Sequence, residues 1–342
     1  MLNDLAAEKA PIKRHAWLWN GVVWPGTVAL LVLGVIGTSL GMTTLVRAHD
    51  AAPQPPDIVS VQTAVSTPAI VRLSSTTAYV GWTGRDTAHH LNLMTYDAST
   101  QAFGPAITFT DTSLAGSGPS LAFFPSNAPS NLYVAWRGGD NRLNVGRFNP
   151  SDPTHLAGKV TLNQYSFNAP SLTAFSGRLY LSWRGTDGRL NIISSADGSV
   201  FNTQEIYSIA ILTSPTLVAT PFFLEMAWEE PSSPSNQSFI VIAQYNQVDP
   251  RTLSAIVSTN QVSSLPVALD FAGVAGYPAL VVAWRTPTDA HIQFGFFNGT
   301  PDVTGIVNSG ETTPYGPSLS RNLYSWTGTD PAQHVNVSTE SL

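Results

Sequence analysis

The amino-acid sequence predicts an all-β chain: a six-bladed β-propeller closed by an N-terminal strand and preceded by a single transmembrane helix. Three observations predict it. A proline recurs at near-constant spacing, a tryptophan ends a strand pattern after each of those prolines, and one long uncharged apolar segment lies near the N-terminus.

A fixed period of about 50 residues implies stacked supersecondary units. Pro68, Pro119, Pro170, Pro215, Pro266 and Pro317 follow one another at gaps of 51, 51, 45, 51 and 51 residues. Each is followed by an alternating strand that ends in Trp82, Trp136, Trp183, Trp228, Trp284 or Trp326. The third unit shows the pattern best. Leu179, Leu181 and Trp183 fall on one face of a strand, Tyr180 and Ser182 on the other. Asp187-Gly188 signals a hairpin turn, after which Leu190 and Ile192 resume the apolar face. "SLTAF" and "NTQEIYSI" supply a strand on either side. Four strands per unit, with the fourth and fifth units degenerate, describe propeller blades.

The residue before each tryptophan is small: Gly81, Ala135, Ser182, Ala227, Ala283 and Ser325. A ring on one blade is therefore expected to pack over the small residue of its neighbour. The last unit runs only from Pro317 to Leu342 and lacks an outer strand, whereas "DIVSVQTAVSTP" at 57–68 is an outer strand without a unit. Pairing the two closes the ring and removes both free edges.

The first 56 residues differ from the rest. Residues 16–46 carry no charged side chain, and a bilayer core needs roughly 20 apolar helical residues. The expectation is a cytoplasmic tail at 1–15, a transmembrane helix at 16–47, a proline-rich linker at 48–56 and the propeller at 57–342. Lys9, Lys13 and Arg14 precede the apolar run and Arg47 alone closely follows it, which places the N-terminus in the cytoplasm and the propeller outside. The alternative, a cleaved signal peptide, would have a shorter apolar region of about 7–15 residues.

Composition narrows the function. There is no cysteine, so no thiolate serves as nucleophile or metal ligand. Residues 57–342 hold 12 basic and 19 acidic side chains, a balance that argues against nucleic-acid binding. No HExxH, P-loop, GxSxG or EF-hand pattern is present, so no cofactor, no metal and no catalytic residue are assigned.

Two sets of residues remain. The W-x-G-x-D phrase carries Asp86, Asp140, Asp187 and Asp330, followed by Asn92, Asn144, Asn191 and Asn336. It is read as construction: glycine for a tight bend, aspartate accepting turn amides, asparagine tying strands. The position after the tryptophan varies as Thr83, Arg137, Arg184, Glu229, Arg285 and Thr327. An arginine there either pairs within its hairpin, as Arg184 with Asp187, or offers its planar fork to a sugar. Glu225, Glu229 and Glu230 crowd the fourth unit, although the propeller has only six glutamates. That cluster is read either as drift in a surface hairpin or as a cation-binding or acid–base group.

The unit "APSLTAFSGRLYLSWRGTDGRLNIISSADGSVF" resembles the repeats of bacterial propellers grouped near fucose-specific lectins and sialidase-like proteins. The resemblance is architectural and covers 57–342. Lectins of that kind bind sugars between blades with arginine, glutamate and aromatic rings, which implies Arg137, Arg184 and Arg285 as ligand-binding positions. "SADGSVF" resembles the Asp-box turn, a structural feature of such blades, with one residue fewer between Asp197 and Gly198. A glycosidase would need two carboxylates about 5–10 Å apart, and Glu229, Glu230 and Asp289 are the candidates. The resulting expectation is a membrane-anchored, extracytoplasmic, lectin-like module that binds carbohydrate without catalysis. Alternatives are a sialidase-like or other glycoside hydrolase, and a scaffold for a surface protein.

Overall fold

The computed structural model describes residues 58–339, apart from 203, 232–237, 251 and 275–276. The tail, membrane helix and linker expected within 1–56 lie outside the described residues. No helix among the described residues is long and apolar enough to cross a membrane.

Six antiparallel sheets follow one another along the chain, five of four strands and the first of five, which adds the two-residue strand Ala102–Phe103. They are the blades of a six-bladed β-propeller. In the third blade the strands, from innermost to outermost, are Ser171–Phe175, Arg178–Arg184, Arg189–Ser195 and Glu205–Ala210. The sixth blade takes its outermost strand from the start of the propeller. Ile58–Thr63 pairs antiparallel with His334–Thr339, placing Ile58 opposite Val337 and Thr63 opposite His334. Side chains reinforce that seam. Ser325 Oγ donates to Pro68 O at 3.0 Å, and Thr327 Oγ1 donates to Ser66 O at 2.7 Å.

The alternation along the second strand decides which neighbour each side chain meets. Leu179, Leu181 and Trp183 share a core cluster with Ala135, Leu143 and Val145 of the preceding blade. Tyr180, on the other face, shares one with Trp228 of the following blade. The tryptophan thus packs back against the preceding blade, where the small residue makes room, and Trp284 with Ala227 and Trp326 with Ala283 repeat the pairing. All six tryptophans are at most 1% exposed. The inner strands are also tied: Leu172 N donates to Ser120 Oγ, and Leu217 N to Ser171 Oγ, both at 2.9 Å.

The W-x-G-x-D phrase builds the hairpin between the second and third strands. Asp187 Oδ1 accepts from the Arg189 amide at 3.1 Å, and Asp140 Oδ1 from the Arg142 amide at 3.0 Å. Asp86 and Asp330 accept from the amides of Ala88 and His90, and of Ala332 and His334. Asn191 Nδ2 donates to Arg189 O while its Oδ1 accepts from Gln204 Nε2, linking the third strand to the outer one. Asn144 does the same with Arg142 O and Thr161. The glycine acts differently from the expectation of a tight bend. A Cβ on Gly185 would lie 2.6 Å from both Asp187 Oδ1 and Asn191 Nδ2. The glycine leaves room for the two side chains, and the left-handed residue of the turn comes later, at Gly188 with φ of 78°.

Candidate functional site

Every residue singled out in the sequence after a tryptophan faces the groove to the next blade, and five of the six donate a hydrogen bond across it. Arg137 Nη1 donates to Phe167 O at 2.8 Å, Arg184 Nε to Ile211 O at 2.6 Å and Arg285 Nε to Thr313 O at 2.8 Å. Thr83 Oγ1 donates to Ser117 O at 2.9 Å, and Thr327 to Ser66 O as above. Each acceptor lies in the link to the following blade. Arg137 also meets Asn141 Oδ1, and Arg184 lies 5.2 Å from the centre of the Phe167 ring. Asp187, set beside Arg184 in the sequence reading, instead has Arg189 as its ion partner at 3.9 Å.

The glutamates of the fourth blade separate. Glu229 is fully buried, and burial holds its carboxyl pKa well above the ordinary carboxylate range. The amide of Val267 faces it without forming a well-aligned hydrogen bond. A buried carboxyl with no hydrogen-bond partner among the described residues thus occupies the place where the other blades put a donor. Glu230, the next residue, is exposed. Asp289 is exposed in the fifth blade's hairpin, where a hydrogen bond from Thr286 lowers its pKa.

The turn "SADGSVF" is likewise structural. Asp197 Oδ1 accepts from the Ser199 and Val200 amides at 2.8 and 2.9 Å and from Ser195 Oγ at 2.9 Å. Its backbone carbonyl accepts from Tyr133 Oη at 3.3 Å, so the turn caps a tyrosine of the preceding blade.

That tyrosine marks a repeat position. Tyr79, Tyr133 and Tyr180 stand two residues before the small residue in the first three blades, are at most 8% exposed, and fill the grooves to the next blade. Tyr79 lies between Phe123 and Phe148 of the second blade, at 6.1 Å from each ring. Tyr180 packs on Tyr245 of the fourth blade at 5.4 Å. The fourth blade carries Glu225 there, and the fifth and sixth carry the buried aliphatic side chains of Val281 and Leu323.

Where Glu225 replaces the tyrosine, a cavity of 530 Å³ opens between blades four and five. Its far wall keeps the aromatic socket. Phe271 and Phe297 flank Leu280 at the register where Phe123 and Phe148 flank Leu132. Phe296 adds a third ring, and Phe222 and Phe223, 74% and 47% exposed, form the lip. That lip is the turn joining the first two strands of blade four. Thr220 Oγ1 accepts the Phe222 and Phe223 amides at 3.3 and 2.9 Å and thereby shapes it. Inside, Glu225 Oε1 accepts from Gln244 Nε2 at 3.0 Å. Desolvation raises the Glu225 pKa to about 6 against that hydrogen bond. Glu225 is the one titratable side chain among the described lining residues.

A second cavity, of 410 Å³, is lined by the six proline-containing links and repeats the symmetry of the ring. Tyr315 is its single titratable lining residue.

Of the features weighed in the sequence, the structure thus brings Glu225 into a cavity and places Arg137, Arg184, Arg285, Glu229, Glu230 and Asp289 outside it. Phe222, Phe223, Phe271, Phe296, Phe297 and Gln244 were missed. The available signal was the loss of the repeated tyrosine at Glu225, beside an aromatic pair in an adjacent turn.

No family model matches the chain, and no curated protein matches it. Solved structures do. AofleA from Arthrobotrys oligospora aligns with a TM-score of 0.56 at 9% identity, over 82% of this chain and 81% of its own. An α-L-arabinanase from Penicillium chrysogenum, complexed with arabinobiose, aligns at 0.56 and 12%, over 84% and 96%. SapL1 lectin, in complex with α-methyl fucoside, aligns at 0.55 and 11%, over 83% and 95%. At these identities the likeness is one of fold, and the architectural resemblance read from the repeats stands.

Proposed function

We propose that this propeller is a carbohydrate-binding module whose binding site is the groove between blades four and five. The observation that carries the reading is the vacated tyrosine socket. Phe271 and Phe297 retain an arrangement that clasps a six-membered ring elsewhere in the molecule, and the ring that would fill it is replaced by a short acid. A pyranose ring fits such a socket, with its apolar face on phenylalanine and its hydroxyls toward Glu225 and Gln244. The cavity volume of 530 Å³ is of the size of small-ligand sites, about 300–1,000 Å³. Two of the propellers sharing the fold carry sugars in their structures, an arabinobiose and a methyl fucoside, which supports looking for a saccharide first.

A single carboxyl in the described lining suits binding. Hydrolysis uses two carboxyls about 5–10 Å apart across the scissile bond. Combined with the apolar run at 16–46 and its charge flanks, the proposed protein is a single-pass, N-terminus-in anchor, with its membrane helix at 16–47, that displays a glycan-binding propeller outside the cell membrane.

A glycan array probed with the full chain and with Glu225→Tyr tests this reading. Saccharide binding by the natural chain, lost on filling the socket, supports it. No binding to any glycan, or binding unchanged in Glu225→Tyr, refutes it.

A further inference from the structure

Resting on the saccharide reading of the same groove, we infer that the bound sugar carries a free amino group: the ligand class is a hexosamine or an oligomer of one, in preference to its N-acetylated or neutral counterparts.

Among the described lining residues, Glu225 is the only charged side chain, and no arginine, lysine or histidine faces the cavity. Its neighbours can be enumerated by element. The third strand of its own blade presents Gln244, and the turn before its strand presents Thr220, Phe222 and Phe223. The outer strand of its own blade presents Ala255 and Val257, and the fifth blade presents Phe271, Leu280, Phe296, Phe297 and Asn298. None of these supplies a positive charge. Oε1 accepts from Gln244, and Oε2 makes no hydrogen bond among the described residues. An ionised carboxylate in that setting lacks a cation, and burial raises its pKa to about 6.

The aromatic walls point the same way. A ring face is the negative end of its quadrupole and attracts an ammonium group within about 6 Å. Phenylalanine has no hydroxyl or indole N–H with which to bind sugar hydroxyls. Hydroxyls are left to the amides of Gln244 and Asn298, and the carboxylate of Glu225 is the one group among the described lining residues that distinguishes ligands by charge. An anionic sugar meets repulsion from Glu225 and finds no basic residue in compensation. A neutral sugar gains stacking but leaves the carboxylate uncompensated. An ammonium on the ring satisfies both the carboxylate and the ring faces. Acetylation of that nitrogen removes the charge and so removes the advantage.

Ionisation of Glu225 then governs affinity. Between pH 7 and pH 5 the carboxyl passes through its pKa of about 6, so its ionised fraction falls about tenfold. Affinity for the amine follows it downward, while affinity for a neutral sugar stays nearly level.

The test is isothermal titration of the full chain with three probes: a glucosamine trimer, an N-acetylglucosamine trimer and a glucose trimer, at pH 7 and pH 5. The glucosamine trimer is expected to bind about tenfold or more tightly than the other two at pH 7. Its advantage is expected to shrink severalfold at pH 5, where the loss of Glu225 ionisation outweighs the fuller protonation of the sugar amine. Glu225→Gln, an isosteric change, should bring all three within about twofold, with thermal unfolding verifying that the variant is folded. Equal affinity for the amine and neutral trimers overturns the inference and leaves the saccharide reading intact. So does a preference for the amine that survives Glu225→Gln or is the same at both pH values. Failure of every glycan on the array, by contrast, removes the saccharide reading itself.

Discussion

Glu225→Tyr restores to the fourth blade the residue that the first three blades carry, and its consequences follow from the geometry of those blades. The phenol ring would enter a socket whose walls, Phe271 and Phe297, match the pair that clasps Tyr79 at 6.1 Å. Burying a side chain of this size stabilises a protein by about 1.5–3 kcal/mol. A central value of about 2 kcal/mol allows for imperfect fit. Removing the desolvated carboxyl adds to this at neutral pH. The shift from 4.5 to about 6 corresponds to about 1 kcal/mol after discounting for the solvent that reaches the open cavity. The sign follows from proton binding. The folded state holds this proton more tightly than the unfolded state, so the acid costs nothing below the unfolded pKa. Its penalty grows as pH rises through about 6. Glu225→Tyr should therefore gain about 3 kcal/mol at pH 7.5 and about 2 kcal/mol at pH 4.5. For a domain of this size that is about 6 and 4 °C in Tm, read by differential scanning calorimetry of the full chain. Saccharide binding should vanish at both pH values. An unchanged or lower Tm at pH 7.5 would refute the view that this groove is a tyrosine socket left empty.

Three further outcomes follow. Trp183→Ala, which opens the interface with Ala135, should cost about 3–5 kcal/mol in chemical denaturation without altering the groove of blades four and five. Glu229→Gln should raise Tm at pH 8 and leave it nearly unchanged at pH 4. The buried acid's raised pKa gives the natural chain stability that is complete below the unfolded pKa and declines as pH rises, and glutamine abolishes that decline. Equal Tm shifts at both pH values would show that Glu229 is not held neutral by burial. Arg184→Ala should lose about 1.5–3 kcal/mol with the charged hydrogen bond to Ile211 O. Its saccharide affinity should match the natural chain's, and a tenfold loss would return the site to the arginine grooves.

The architecture was legible because the repeat repeats what packing requires. The tryptophan and its small neighbour are two halves of one contact, seen between consecutive blades in Trp284 with Ala227 and Trp326 with Ala283. The spare strand at 58–63 announced its pairing with His334–Thr339 because an unpaired edge has few other ways to be satisfied. Contacts between loops distant in sequence were not legible. That Arg184 reaches Ile211 rather than Asp187 depends on where the next blade's link passes, and spacing along one hairpin does not contain that information. The glycine of the hairpin was placed correctly and explained wrongly. Sequence suggests conformational freedom, whereas Gly185 is required by what approaches it, the side chains of Asp187 and Asn191.

The cavity was hidden for a different reason. A repeat directs attention to what recurs, and the most variable position beside the tryptophan invited a functional reading because it is sometimes arginine. Yet a donor recurs there in chemistry if not in identity: Thr83 and Thr327 reach a link carbonyl just as the three arginines do. The informative departure is the position where chemistry breaks while its surroundings persist. At Glu225 the filling residue changes from a ring to an acid, but the rings that would hold it remain. Burying a carboxyl against phenylalanine is unfavourable for folding, as its raised pKa records, and no other blade of the ring does so at this position. A scaffold with five other solutions to the same packing problem has no structural need of that acid.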